Sequence, residues 1–134
     1  NILFDLNRRL AQLMEPHSNY RASITETHHL QKLDSPSGTA VSLADDMLIS
    51  NENLSSWIHQ ENIPPIVDKG QIEVTSYRAK DVPGTHTIRY TSEIDTLELK
   101  HTAHSRSGFA LGSIIAAEWL LDKKGIFTMQ DLLK

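Results

Sequence analysis

Apolar residues recur at three- and four-residue steps over residues 2–14, where Leu3, Leu6, Leu10, Leu13 and Met14 are separated by Asn7, Arg8, Arg9 and Gln12. That spacing predicts an amphipathic helix with a core-facing stripe. Glu15-Pro16-His17-Ser18-Asn19 ends it. Tyr20, Ala22 and Ile24 then alternate with Arg21 and Ser23, which predicts a strand over 20–27. A loop over 28–36 follows. A second apolar stripe, Ala40, Val41, Ala44, Met47 and Leu48, predicts a helix over 38–50. Residues 51–70 are polar and contain Pro64-Pro65, the mark of a connection. Leu54, Trp57 and Ile58 are expected to form a short helical turn over the core.

Period-two alternation with Thr and β-branched residues then predicts three strands, around Ile72 and Val74, over 86–92 and over 97–103. Turns at 80–84 and near Asp95 would join them as an antiparallel meander. Residues 107–122 carry apolar side chains around nearly the whole circumference, with Glu118 as the only internal charge. Such a helix is expected to be buried on most sides. Lys123, Lys124 and Gly125 suit its C-terminal end. Residues 128–134 could add a short capped turn. The order predicts one α+β domain over 1–134, a four-stranded, mostly antiparallel or mixed sheet covered by helices on one face.

Composition changes this picture little. The chain has 134 residues, 39% hydrophobic and 22% charged, with a formal net charge of −4. That balance argues against a nucleic-acid or membrane-surface partner. No stretch approaches the roughly 18 apolar residues of a membrane span. The absence of cysteine removes disulfides, thiolate metal sites and cysteine nucleophiles.

The candidate chemistry concentrates in one segment. His28, His29 and Lys32 place three potential cations within five residues. Pro36-Ser37-Gly38-Thr39 follows and opens the second predicted helix. Ser37 suits an N-cap, and Gly38 permits close approach of a ligand to the backbone. Unpaired amides at Gly38 and Thr39 would sit at the positive end of a helix, a place for a carboxylate or phosphate. Read separately, these are an ordinary His pair, a solvated Lys and a helix cap. Together they are the parts needed to hold a small dianion and protonate it. A metal-dependent hydrolase is a rival reading, but no H-x-x-x-H or H-E-x-x-H pattern falls on a predicted helix. No Gly-x-Ser-x-Gly elbow or Gly-x-Gly-x-x-Gly fingerprint is present.

The run His28-His29-x-x-Lys32-x-Asp34-x-Pro36-Ser37-Gly38-Thr39-Ala40 resembles the signature of the dihydrodipicolinate reductase family, in its C-terminal, substrate-binding half. Ser105-Arg106-x-x-Phe109-Ala110 and Arg78-x-x-x-x-x-Gly84-x-His86 resemble that family more loosely, and Lys80 stands where Gly is expected. The resemblance implies a cytoplasmic NADPH- or NADH-dependent oxidoreductase of lysine and diaminopimelate biosynthesis, without a metal. It reduces a cyclic dicarboxylic imine and is commonly a homotetramer. It further implies that His28 is the general acid, sharing proton work with Lys32. His29, Lys32, Gly38, Thr39 and more weakly Ser37 would bind substrate carboxylates, and Arg106 and Phe109 would approach the cofactor. Asp34 is expected to orient a nearby cation or backbone amide. The dinucleotide-binding half is expected to lie outside this chain, so the chain alone would be inactive. A non-catalytic, tetramerising and dicarboxylate-binding module is the alternative.

Overall fold

The computed structural model describes residues 1–133. Helix α1 (Ile2–Met14) leads into strand β1 (Arg21–His28), helix α2 (Gly38–Ser50) and strands β2 (Ser56–Glu61), β3 (Gln71–Arg78), β4 (Gly84–Thr91) and β5 (Thr96–Ala103). Helix α3 (Ser107–Trp119) and the short α4 (Met129–Leu132) complete the chain. Thr128 and Asp131 close a capping box on α4, so the capped turn expected near the C-terminus forms. Lys134, the last residue of that expected turn, lies outside the described residues.

The five strands form one mixed sheet in the order β2-β3-β1-β4-β5. This corrects the expected four strands. The fifth is β2, which falls in the stretch read as a connection with a helical turn. It is an edge strand, parallel to β3, with little burial along its length. Its partly buried positions Trp57 and His59 flank an exposed Ile58, so the sequence shows no apolar–polar alternation, and Pro64-Pro65 nearby reads as loop. Trp57 Nε1 donates to Asp45 Oδ1 at 3.1 Å, tying the edge to α2.

The expected meander is corrected too. β4 and β5 pair antiparallel as a hairpin, but β3 does not pair with β4. β1 lies between them, parallel to β3 and antiparallel to β4. The segment 79–83 therefore crosses over the end of β1. Ala79 N–H donates to the His28 carbonyl at 2.9 Å as it does so.

The core lies between the sheet and the α1–α2 pair. Ile24, Leu43, Met47, Ile72, Val74 and Ile88 are fully buried. On α1 the inner face is Asn7, Ala11 and Met14, not the whole predicted stripe, because Leu6 and Leu13 are exposed. Asn7 Nδ2 donates to the Leu43 carbonyl at 2.9 Å, and Asn51 Nδ2 donates to the Ala11 carbonyl at 3.1 Å. These buried amides fix the helix pair in register, since an unpaired buried amide is costly.

The α3 expectation fails. No α3 residue is buried, and Phe109, Leu111 and Ile114 are each more than half exposed. α1 and α2 already cover the sheet face, so α3 extends beyond it. Its all-round apolar surface reports that the helix is made to be covered, not what covers it.

Candidate active site

Two adjacent rungs of the sheet assemble the site. β1 alternates strictly, with Ala22, Ile24, Glu26 and His28 on the buried face. The Ile24 rung is apolar, running Val74–Ile24–Ile88–Leu99. The next rung is polar: Ser76–Glu26–His86–His101. Beyond it Arg78 stands beside His28, and Gly84 beside Ala103. One inner face thus changes from core to site within two residues, at the end where α2 begins.

Glu26 is fully buried. Its Oε1 accepts from Ser37 N–H at 3.2 Å and lies 3.3 Å from Arg78 Nη1. Its Oε2 is in close contact with His28 Nδ1. Among the described residues neither Oε2 nor that Nδ1 has another hydrogen-bond partner. Burial pushes the Glu26 pKa up, but the Ser76 hydroxyl, His28, Arg78 and the Ser37 amide outweigh it and leave the carboxyl below its ordinary value. Glu26 is therefore an ionised carboxylate with cations or donors on every side.

His28 is held below its ordinary pKa, first by burial and then by Lys32 and Arg78, with Glu26 opposing. Its ring meets His86 edge to face, with centroids 5.0 Å apart. His86 is pushed down to about 4, chiefly by burial and next by His28. Its Nε2 lies 3.0 Å from Ser37 Oγ. The same Oγ accepts from Ala40 N–H at 3.2 Å, the N-cap bond of α2. The Ser37 hydroxyl thus links the start of α2 to the His86 ring.

A cleft of about 730 Å³ opens over these groups. His28, His29, Lys32, Ser37, Gly38, Thr39, Arg106 and Phe109 all line it. The structure thus brings together every site residue expected from the sequence. Gly38 and Thr39 supply first-turn amides that an α-helix leaves without an internal acceptor. Ser37 lines the cleft, but its amide is bound to Glu26 and its hydroxyl to Ala40 and His86. His29 Nδ1 is buried and has no hydrogen-bond partner among the described residues. Lys32 Nζ is 2.9 Å from both carboxylate oxygens of Asp34, which places Asp34 as partner to a cation. That contact, Lys32 first, holds the Asp34 carboxyl below its usual range. Arg106 and Phe109 stand at the exposed rim, with Phe109 60% exposed.

Glu26, Arg78 and His86 are site residues to which sequence reasoning gave no role. The signal for Glu26 was present: two residues before His28 on a strand means the same face. Arg78 and His86 depend on strand register, which their own segments do not encode. The crossing over β1 also gives Gly84 its role. A Cβ there would stand 3.0 Å from His28 Nε2, so a bare backbone leaves room for that ring.

Glu26, His28 and His86 carry nitrogen and oxygen atoms that all lie within 4.8 Å of one another, a donor set of a type that suits a divalent cation. Their present partners are each other, Arg78 and Ser37, and an ion would have to displace some of them.

Residues 1–133 match the family model "Dihydrodipicolinate reductase, C-terminus". The chain is 50% identical to the 4-hydroxy-tetrahydrodipicolinate reductase of Christiangramia forsetii, over 99% of this chain and 54% of that protein. It is 36% identical to the protein of that name from Methanosarcina acetivorans, over 99% of this chain and 49% of that one. The chain spans about half the length of the curated relatives it matches. Among solved structures, the dipicolinate-bound dihydrodipicolinate reductase from Paenisporosarcina sp. TG-14 superposes with a TM-score of 0.65 at 23% identity. That match covers 94% of this chain and 49% of that one, and it shows a shared fold.

Proposed function

Because the chain belongs to the family of the dihydrodipicolinate reductase C-terminus, we propose that it is the substrate-binding and assembly half of a 4-hydroxy-tetrahydrodipicolinate reductase. The whole enzyme would act in the cytoplasm, in lysine and diaminopimelate biosynthesis, and reduce a cyclic dicarboxylic imine at the expense of NADPH or NADH. The observation that carries this reading is the convergence of His28, His29, Lys32 and the α2 N-terminus on one cleft. The solved relative with this fold is described as dipicolinate-bound, and a planar dicarboxylate is the ligand class this cleft suits.

In this reading one carboxylate lies on the Gly38 and Thr39 amides and the Thr39 hydroxyl, where the helix end favours negative charge. The other pairs with His29 and Lys32. Lys32 must leave Asp34 in part to do so, exchanging one carboxylate for another. When bound, the reduced nicotinamide supplies a hydride. The open ring face of Phe109 and the Arg106 guanidinium at the rim suit that end of a dinucleotide. His28 delivers the proton to the carbon beside the one reduced, and Lys32 stabilises charge as it develops. The dianion raises the proton affinity of His28, which is low in the free site. No step in this reading uses a metal. Homotetramers would form by covering α3 and the outer sheet surface. The chain without its dinucleotide-binding partner domain binds and assembles but does not turn over.

Calorimetric titration with pyridine-2,6-dicarboxylate tests the reading. Saturable 1:1 binding is expected, with at least a tenfold loss in Lys32→Ala. A folded wild-type chain that shows no binding would overturn the cleft as an autonomous dicarboxylate site.

A further inference from the structure

The Glu26 carboxylate has no path to a ligand in the cleft. It is fully buried beneath His28, and both oxygens are spent on the protein. A buried ionised carboxylate is expensive, and such groups persist where they are fully paired. Here the pairing is unusually complete. Arg78 is itself fixed, with Nη1 donating to the Tyr77 carbonyl at 2.8 Å and Nη2 to the Asp34 carbonyl at 2.8 Å. The Ser37 amide is fixed by the start of α2. The Ser76 hydroxyl, opposite Glu26 on the same rung, sits 2.9 Å from His59 Nε2 and helps hold the Glu26 pKa down. Arg78 on β3 and the Ser37 amide at the start of α2 therefore hold the β1 carboxylate against one imidazole nitrogen of His28.

Building on the dicarboxylate reading above, we propose that Glu26 is a positioning residue that holds a proton on His28 Nδ1, leaving Nε2 as the only atom of that ring that exchanges a proton with the ligand. A carboxylate is an acceptor only, so the nitrogen it touches must carry hydrogen. Nε2 is the atom nearest the bare Gly84 backbone, at the cleft. When the imidazolium releases its Nε2 proton to carbon, the Nδ1 proton stays on Glu26's side and the ring returns to neutral. Glu26 remains ionised throughout, and no proton passes through it. This is the orienting role that a carboxylate plays behind a proton-transferring histidine. The groups facing His28 are Glu26 on β1, Arg78 on β3, His86 on β4 and Lys32 on the loop. Only Glu26 among them favours the imidazolium.

Nitrogen-15 NMR of the imidazole rings in this chain reads the proposal without any ligand. At pH 8, neutral His28 should carry its proton on Nδ1, the tautomer less favoured by a free histidine side chain. In Glu26→Gln that preference should weaken and the proton affinity of His28 should fall at least tenfold. The pH above which pyridine-2,6-dicarboxylate binding declines should move down with it. An Nε2–H tautomer in the wild-type chain overturns the proposal, and so does an unchanged His28 titration in a folded Glu26→Gln chain. The wild-type tautomer needs no variant, so failure of Glu26→Gln to fold does not protect the idea. Loss of dicarboxylate binding with the Nδ1–H tautomer intact would overturn the functional reading and leave the Glu26–His28 geometry standing.

Discussion

His86 makes the acid stability of this chain a direct test of the site's electrostatics. Its pKa is pushed from 6.5 to about 4, chiefly by burial. In the unfolded chain the same ring titrates near 6.5. Above that pH both states hold it neutral and it contributes no pH dependence. As pH falls from 6.5 toward 4, the unfolded state binds a proton that the folded state refuses, so stability is lost through that window. The full loss from this one group is about 3 kcal/mol, at roughly 1.4 kcal/mol per tenfold change in proton affinity. Between pH 7 and pH 5 it amounts to about 2 kcal/mol. His28, also held low, adds to the loss in the same window. Glu26, whose pKa is lowered, loses its contribution only below its ordinary carboxylate range. Urea unfolding at pH 7 and pH 5 separates these terms when wild type is compared with His86→Gln. The variant should be less stable at pH 7, because the contact between Ser37 Oγ and the buried His86 ring is lost, yet lose about 2 kcal/mol less than wild type on acidification. Equal losses in the two chains, with equal denaturant slopes, would refute the claim that burial holds His86 neutral.

Two other perturbations separate site from scaffold. Gly84→Ala places a methyl group 3.0 Å from His28 Nε2, so it should weaken pyridine-2,6-dicarboxylate binding about tenfold by calorimetry, at a stability cost of about 1–3 kcal/mol from overpacking. Leu43→Ala removes a fully buried side chain between α1 and α2. Urea unfolding should show a loss of about 2–5 kcal/mol, with dicarboxylate affinity unchanged in the folded fraction.

The sequence by itself determined the local elements and the chemistry of one loop. Helix α2 starts and stops where its stripe and the Ser37 cap say, because helix periodicity and capping are written within a few residues. β1 was legible from its alternation, and with it the shared inner face of Glu26 and His28. His28, His29, Lys32, Gly38 and Thr39 are close in sequence, so a short turn was enough to place them around one cleft.

Only the tertiary structure decided what is non-local. The parallel pairing of β1 with β3 inserts β1 between two strands that follow each other in sequence. That insertion brings Arg78 and Gly84 to His28, and His86 to Glu26. Strand order rests on packing between segments far apart in sequence, and alternation within a strand carries no record of its neighbours. The edge strand β2 escaped for a related reason: its half-buried face is Trp57 and His59 while the apolar Ile58 points outward, so its sequence shows no apolar–polar alternation to read. α3 marks the opposite limit. Its apolar circumference demands a covering, yet the inner face of the sheet is already covered by α1 and α2, so hydrophobicity alone named a buried helix and the fold left it exposed.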